Sequence, residues 1–234
     1  MKTGDVKATL SALERLGTSR VLDDMSARYG IFAKKAYGVS MANLLKMAKQ
    51  IGPDHDLAVA LWETGWYEAR MLATLIDDPA RVSAAQMERW CREFDSWAIC
   101  DTACFKLFDR VPHAWKKVKP WCSKKDEFVR RGGFALLACL ALHDREAANQ
   151  PFLEGLKLVE RGATDERNFV KKSVSWAIRS IGRRNPALRA AATTLAVRLA
   201  QSDQAASRWV GKDALRDLSI RRTAVRRKGG GRKQ

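Results

Sequence analysis

A short pattern recurs along this chain: an aromatic residue followed three positions later by arginine or lysine. The four occurrences are Tyr67 with Arg70, Phe128 with Arg131, Phe169 with Lys172, and Trp209 with Lys212. Their basic residues are 61, 41 and 40 positions apart, and the last two intervals match the period of repeats built from two helices. Midway through the long interval the chain has Ala98 and Asp101 instead, a degenerate unit with an acid in place of the base. Four such units in series predict an α-solenoid, whose stacked helices form an extended concave surface.

Helix-forming residues dominate the rest of the sequence. Alanine and leucine far outnumber valine, isoleucine and threonine, which favours helices over strands. Helix start signals include Ser40, Ser83 with Gln86 three residues later, and Asn185 before Pro186. Segments 169–182 and 186–200 each carry an apolar stripe at helical spacing. We therefore predict an all-α chain of about a dozen helices, folded as a single domain over residues 1–220.

The charge of the chain indicates a polyanionic partner. The formal net charge is +17 and the isoelectric point is near 10.1, which is above the level typical of nucleic-acid-binding domains. Residues 221–234 carry seven basic side chains, no acid and three consecutive glycines. We expect this segment to be a flexible arm that adds nonspecific affinity for phosphates, with solubility alone as the alternative.

Several classes of function are disfavoured by what the sequence lacks. The longest apolar run is far short of the ~20 residues of a membrane span, and no signal-peptide core follows Met1. We expect a cytoplasmic, nucleoid-associated monomer without membrane contact. The five cysteines form no C-x-x-C pair, and we expect them to be small core residues: Cys91, Cys100, Cys104, Cys122 and Cys139. The three histidines lack metal-ligand spacing and no phosphate-loop motif occurs, so neither a metal nor a cofactor is expected.

A helix over residues 169–183 would turn Trp176 outward, about 140° from its core stripe. Lys172, Arg179 and Arg183 share that outward face. These cations repel one another unless an anion lies against them, which favours phosphate contacts beside an indole that stacks on a base or sugar. The alternative is that Trp176 is buried beneath a neighbouring repeat.

Residues 96–108 predict a helix with two stripes. The core stripe contains Ile99, Cys100, Ala103 and Leu107. The second stripe contains Trp97, Asp101, Cys104 and Phe108. Trp97 and Asp101 are one helical turn apart on it. Because phosphates repel a carboxylate, Asp101 is expected to face a positive charge, either that of a ligand or that of an arginine such as Arg131.

Three segments resemble the AlkD-type DNA alkylation repair glycosylases: FDSWAICD at 94–101, FVRR at 128–131 and NFVKKSVSWAIR at 168–179. WETG at 62–65 and YEAR at 67–70 extend the likeness, which runs from about Tyr37 to Leu218. The resemblance implies a HEAT-like α-solenoid, a right-handed superhelix of antiparallel helix pairs whose concave basic groove holds duplex DNA. It implies a catalytic group of Trp97, Asp101 and Trp176, with Arg131 as a DNA-contacting neighbour. Gly132 and Gly133 depart from the family pattern and indicate a close backbone approach or a kink beside Arg131.

The activity implied is that of a monofunctional DNA glycosylase in base excision repair. Its substrates would be positively charged alkylpurines such as 3-methyladenine and 7-methylguanine in duplex DNA. A purine that is already charged leaves without protonation, so one carboxylate, Asp101, can stabilise the oxocarbenium-like sugar and place a water. Trp97 and Trp176 would pack against the sugar and the lesion.

The basic residues of the repeats and helix faces are the expected DNA contacts. They are Arg70, Arg130, Arg131, Lys172, Arg179 and Lys212. Two other functions are compatible with the same residues. One is a noncatalytic DNA-binding paralogue that recognises unusual DNA structure, and the other is a protein-binding scaffold of HEAT repeats with tryptophans as interface anchors.

Overall fold

The computed structural model describes residues 5–229, with side chains as far as residue 219. These residues form thirteen α-helices and one 3-10 helix, with no β-strand among them, so the all-α prediction is confirmed. The helices are α1 Val6–Leu16, α2 Ser19–Ala27, α3 Met41–Ile51, α4 His55–Glu63, α5 Tyr67–Ile76, α6 Ala84–Arg92, α7 Trp97–Lys106, the 3-10 helix Phe108–Arg110, α8 Ala114–Cys122, α9 Glu127–His143, α10 Asn149–Gly162, α11 Asn168–Gly182, α12 Pro186–Ala200 and α13 Ala205–Gly229. No helix in the described part of the chain has the length and apolar character that crossing a membrane requires.

The chain divides into two compact units, Met1–Ala114 and Trp115–Gln234, at the start of α8. A single domain over residues 1–220 stays a prediction. The predicted basic arm, residues 221–234, lies outside the residues whose side chains the structure describes.

In the first unit, α5 is the central helix and packs against α3, α4 and α7. The interior is rich in aromatic rings. The indoles of Trp62 and Trp90 are fully buried and lie parallel, with ring centroids 4.0 Å apart. Phe94 and Phe108 pack around them. Stacked rings of this size bury a large apolar area, so this cluster fixes how α4, α6 and the end of α7 meet.

In the second unit, α9 packs against α11, and α12 packs against α13. Helix α9 runs without interruption through Gly132 and Gly133. A Cβ at Gly133 would lie 2.4 Å from the backbone nitrogen of Cys122, so the glycine lets α8 and α9 approach closely. This confirms the close approach that the glycine pair predicts, and burial in this contact raises the pKa of the Cys122 thiol to about 12.

The repeated aromatic-basic pattern falls near the start of the second helix in each pair. Tyr67 begins α5, Phe128 and Phe169 are the second residues of α9 and α11, and Trp209 lies in the second turn of α13. The rings of Phe128 and Phe169 contact each other, with centroids 5.5 Å apart. At these two positions the aromatic side chain therefore joins neighbouring repeats by packing.

The predicted helix starts are confirmed, with one difference. The side chains of Ser40, Ser83 and Asn185 each accept a hydrogen bond from the backbone three residues later. The amide of Gln86, however, donates to Asp77 instead of returning to the backbone of Ser83, so the capping box is only half formed. All five cysteines are buried free thiols, as predicted.

Candidate functional site

Helix α7 carries Trp97 and Asp101. Ser96 caps the helix by accepting a hydrogen bond from the backbone nitrogen of Ile99, 3.4 Å away. The predicted core stripe is confirmed, because Ile99, Cys100, Ala103 and Leu107 are all buried. Trp97 and Asp101 are half-buried on the other side of the helix, one turn apart.

The predicted second stripe does not have the same environment along its whole length. Cys104 and Phe108 are fully buried, and the half-buried stripe continues from Asp101 to Phe105. Cys104 lies within α7, whereas the helix ends before Leu107, whose φ of −134° and ψ of −62° lead the chain into the 3-10 helix. Phe108 thereby leaves the helical periodicity and packs on the buried aromatic cluster. We call Trp97, Asp101 and Phe105 the α7 face.

The α7 face borders a cavity of about 390 Å³, which we call the α7 cavity. Trp97, Ala98, Asp101 and Thr102 form one wall. The other walls come from α2, from the segment between α2 and α3, and from α3 and α5. Their side chains are mainly apolar: Val21, Met25, Ile31, Val39, Met41 and Met71. Asp101 therefore lies at an apolar hollow beside an indole, where a bound cation would be partly shielded from water.

The segment joining α2 to α3, residues 28–40, is held firmly against the rest of the first unit. We call it the 28–40 loop. Its link to α5 is the fully buried Glu68, whose carboxyl oxygens accept hydrogen bonds from the backbone nitrogens of Tyr37, Gly38 and Val39 at 2.9, 2.7 and 3.2 Å. Its link to α7 is a hydrogen bond of 2.8 Å from the indole nitrogen of Trp97 to the carbonyl of Tyr29. This loop was not predicted from the sequence to be a part of the candidate site.

Tyr67 adds a neutral hydroxyl to the wall of the α7 cavity. Burial is the main cause that raises its pKa, and the carboxylates of Glu68 and Asp95 raise it further. The phenol therefore keeps its proton throughout the physiological range. It can donate a hydrogen bond but adds no charge to the cavity.

On α11, Trp176 is half-buried and faces away from the core stripe, as the helical wheel predicts. Lys172 is exposed on the same side of the helix. We call Lys172, Trp176, Arg179 and Arg183 the α11 face. The complete burial of Trp176 that the alternative required is not observed.

Carboxylates of the protein lie against two of the α11 cations, so the expectation that these two need an external anion is wrong. Arg179 lies 3.8 Å from a carboxylate oxygen of Asp213 and 3.7 Å from one of Asp217, and Arg183 forms an ion pair with Asp217. Both acids belong to α13, which packs against α11. The protein itself therefore supplies the counter-charge for two of the three cations on this face. The two arginines are four residues apart on α11, and the two aspartates are four residues apart on α13. This matching spacing was the sequence signal from which the ion pairs could have been predicted.

Three other predicted DNA contacts already have partners. The guanidinium of Arg70 lies over the ring of Trp62, 5.2 Å from its centroid, and within 3.7 Å of both Glu93 and Asp95. Arg130 is 3.3 Å from Asp165. Arg131 has only 6% of its surface exposed and donates a hydrogen bond to the carbonyl of Phe169. Arg131 thus helps to fix α11 against α9.

Lys172 and Lys212 differ from these arginines. Both are exposed, and within residues 5–219 neither makes a hydrogen bond or an ion pair. Of the predicted contacts, these two lysines are the best placed to bind DNA phosphates and release the counterions condensed on them.

The predicted site residues are distributed between the two units. Trp97, Asp101 and Arg70 belong to the first unit, where the first two share the α7 cavity. The others belong to the second unit: Arg130, Arg131, Lys172, Trp176, Arg179 and Lys212. Among the residues that the structure describes, no three His, Cys, Asp or Glu side chains cluster as metal ligands do.

Comparisons with known proteins place this chain in a family. A solved structure from "a new family of proteins related to the HEAT-like repeat DNA glycosylases with affinity for branched DNA structures" has a TM-score of 0.75, with 20% sequence identity over 91% of this chain and 94% of that one. This likeness confirms the HEAT-like fold, whereas the concave basic groove stays a prediction. No curated protein matches the sequence. The family model described as "DNA alkylation repair enzyme" matches residues 9–218, a longer stretch than the one beginning near Tyr37. The chain therefore belongs to the DNA alkylation repair enzyme family.

Proposed function

We propose that this protein is a DNA glycosylase that hydrolyses the N-glycosidic bond of positively charged alkylpurines in duplex DNA. The observation that carries the proposal is the placement of Trp97 and Asp101 one turn apart in the wall of the α7 cavity. Membership of the DNA alkylation repair enzyme family supports the same class of substrate.

Charge is the main argument for a cationic substrate. A carboxylate at the surface of a protein of net charge +17 opposes phosphate binding, because like charges at about 4 Å repel by up to about 4 kcal/mol at an effective dielectric constant near 20. A purine methylated at N3 or N7 carries a positive charge, which reverses the sign of that interaction. The indole of Trp97 favours the same charge through its ring face.

The reaction needs little from the protein beyond this arrangement. The C1′–N9 bond breaks with its electron pair moving to the purine, and this neutralises the positive charge of the base. The carboxylate of Asp101 stabilises the positive charge that develops on the sugar. Water then bonds to C1′, and its proton passes to the carboxylate and on to solvent. No cofactor enters this sequence of steps.

We propose Trp176 as a second aromatic surface for the sugar or the lesion, and Lys172 and Lys212 as the principal phosphate contacts. The half-buried ring of Trp176 and the exposed ammonium groups of the two lysines support these roles. Arg70, Arg130, Arg131 and Arg179 are proposed as secondary contacts, because each already has a partner within the protein.

Release of free base tests the proposal. Methylated duplex DNA is incubated with the wild-type protein, with Asp101→Asn and with Asp56→Asn, a control in which the replaced side chain is 80% exposed and pairs with Arg81 on the surface. For each of the two bases, 7-methylguanine and 3-methyladenine, we expect the Asp56 variant to release it as fast as wild type does. We expect Asp101→Asn to be slower by at least about 100-fold. Equal rates for wild type and Asp101→Asn would reject the role of this carboxylate.

A second candidate function is noncatalytic binding of branched DNA. The structural neighbour with affinity for branched DNA favours it. Binding to a four-way junction and to a matched linear duplex distinguishes the two functions when measured together with base release. Tight junction binding by a wild-type protein that releases no base would support the second function and contradict the first.

A further inference from the structure

The 28–40 loop carries one strongly exposed aromatic side chain. Phe32 has 78% of its surface exposed, more than any other large apolar residue that the structure describes. The next highest value in that range is 48%, for Tyr29 in the same loop. An exposed phenylalanine lacks the stabilisation that burial of its ring in a complex would give.

The surroundings of Phe32 are basic. Residues 26–40 contain Arg28, Lys34 and Lys35 and no acidic residue, and of these Arg28 lies 3.5 Å from a carboxylate oxygen of Asp24 on α2. Both lysines are exposed. An exposed ring beside two exposed ammonium groups is complementary to a nucleic acid, in which apolar base faces alternate with phosphates. A protein partner would need an acidic surface to match the lysines, whereas DNA offers an apolar base face and a phosphate at every nucleotide.

The backbone on both sides of Phe32 is fixed. Ile31 is buried, and its nitrogen donates to the carbonyl of Met25 at 2.8 Å. On the other side, the carbonyl of Lys35 accepts from the nitrogen of Tyr67 at 2.9 Å, just before the part of the loop that Glu68 holds. Phe32 therefore projects from an anchored segment, so little conformational entropy is lost when its ring enters a stack.

The loop also reaches the candidate site. Tyr29 and Ile31 both line the α7 cavity, and the carbonyl of Tyr29 holds the indole of Trp97. Phe32 follows Ile31 directly in the chain. A ring inserted by this loop would therefore act on DNA held against the first unit, close to Trp97 and Asp101.

We propose that Phe32 is a wedge that inserts between stacked bases of bound DNA, while Lys34 and Lys35 contact the adjacent phosphates. This proposal rests on the proposed function in requiring that the protein bind DNA. Insertion costs least where stacking is already weak, at an alkylated base or at a branch point. The wedge would thus favour damaged or branched DNA over an intact duplex.

Fluorescence of 2-aminopurine tests the wedge, since this base brightens when it loses its stacking neighbours. The probe is a duplex with 2-aminopurine beside 7-methylguanine, mixed with wild type, Phe32→Ala, Phe32→Trp and Leu45→Ala. Leu45 on α3 is 44% exposed and serves as the matched apolar control. We expect wild type, the Phe32→Trp protein and the Leu45 variant to increase the fluorescence severalfold. We expect Phe32→Ala to give no increase and to bind this duplex about five- to a hundredfold more weakly.

The outcomes separate the wedge from the proposed function. An undiminished fluorescence increase with Phe32→Ala, or the same loss with Leu45→Ala, would overturn the wedge. DNA binding and base release by wild type without any fluorescence increase would overturn the wedge and leave the glycosylase proposal intact. Failure of wild type to bind DNA would overturn both. Circular dichroism of each variant checks that the helical fold is retained.

Discussion

The α7 face and the α11 face each present a tryptophan one turn from a charged side chain, but that side chain is an acid on α7 and a base on α11. On α11, the cations Arg179 and Arg183 are paired with Asp213 and Asp217. On α7, Asp101 lies in the wall of a mostly apolar cavity beside Trp97. A run of cations in the sequence therefore overstates the positive charge that DNA encounters.

The contrast also indicates which residues carry function. An ion pair between two helices contributes to the packing of α11 on α13 whether or not a ligand binds. A carboxylate and an indole that line the same cavity are placed where one ligand can contact both. The α7 face is therefore the stronger candidate for chemistry, and the α11 face is a supporting surface with one free cation, Lys172, among its described side chains.

Removal of either tryptophan should give the largest change after loss of Asp101. We expect Trp97→Ala and Trp176→Ala each to slow release of 7-methylguanine by about 5- to 150-fold, the effect of losing one stacking surface. Trp115→Ala, which removes another half-buried indole on α8, is the control and should leave the rate within about twofold. Single-turnover assays below the melting temperature of every variant measure this. Loss at Trp97 alone would show that only the α7 face takes part.

Neutralising the acids of α13 should turn the α11 face into a free cationic surface. With Asp213→Asn and Asp217→Asn combined, Arg179 and Arg183 become available to phosphates. We expect the slope of log K against log salt to steepen by about two units, with tighter binding at low salt. Fluorescence anisotropy with labelled duplex measures the slope, and Asp203→Asn, an exposed acid before α13, is the control. An unchanged slope would mean that DNA does not reach this face.

Single substitutions on the same face should separate a free cation from a paired one. We expect Lys172→Gln to reduce the salt slope by about one unit. Arg179→Gln should reduce it much less, since that guanidinium already faces two carboxylates. Equal effects of the two substitutions would contradict the view that the internal ion pairs occupy Arg179.

Two other carboxyl groups differ in a similar way: burial dominates the pKa of Asp77, whereas an ion pair dominates that of Asp165. Burial raises the pKa of Asp77, although His55 opposes the shift. The contribution of this carboxyl group to stability is therefore complete below its unfolded pKa of about 4. That contribution falls as the pH rises through the folded pKa. Arg167 lowers the pKa of Asp165, so that contribution is complete above the unfolded pKa and is lost as the pH falls through the folded value.

Melting temperatures from pH 3 to pH 7 test this difference. Asp165→Asn should melt a few degrees below wild type at pH 7 and approach it at pH 3. The melting temperature of Asp77→Asn, relative to that of wild type, should be higher at pH 7 than at pH 3. The reason is that the neutral amide avoids burying a charge at pH 7. Parallel shifts of both variants across this range would contradict the assignment.

Local signals in the sequence predicted the helices well. The caps at Ser40, Ser83 and Asn185 depend only on residues within three positions, and the buried stripes of α7 and α11 depend only on helical periodicity. Phe108 was misplaced because the periodicity was extended past the residue at which α7 ends. A boundary error of two residues was therefore enough to assign this ring to the wrong stripe.

Contacts between distant residues were not predictable in the same way. Glu68 holds the 28–40 loop across 30 residues of sequence, and Arg183 reaches Asp217 across 34. Both depend on how whole helices pack, which propensity and spacing do not specify. The repeat pattern places α11 and α13 in neighbouring repeats, so the pairing of their arginines and acids could have been predicted from it. No local feature of the sequence, by contrast, indicates that Phe32 is exposed.

The central claim is that Asp101 acts on a base that carries a positive charge. The most direct test compares single-turnover release of 7-methylguanine, a cation, with release of hypoxanthine, a neutral purine, from the same duplex position. Wild type should release the cation at least about 100-fold faster, and Asp101→Asn should lose most of that preference by slowing only the cation. If the two bases leave at similar rates, or if Asp101→Asn keeps the full preference, the account is contradicted.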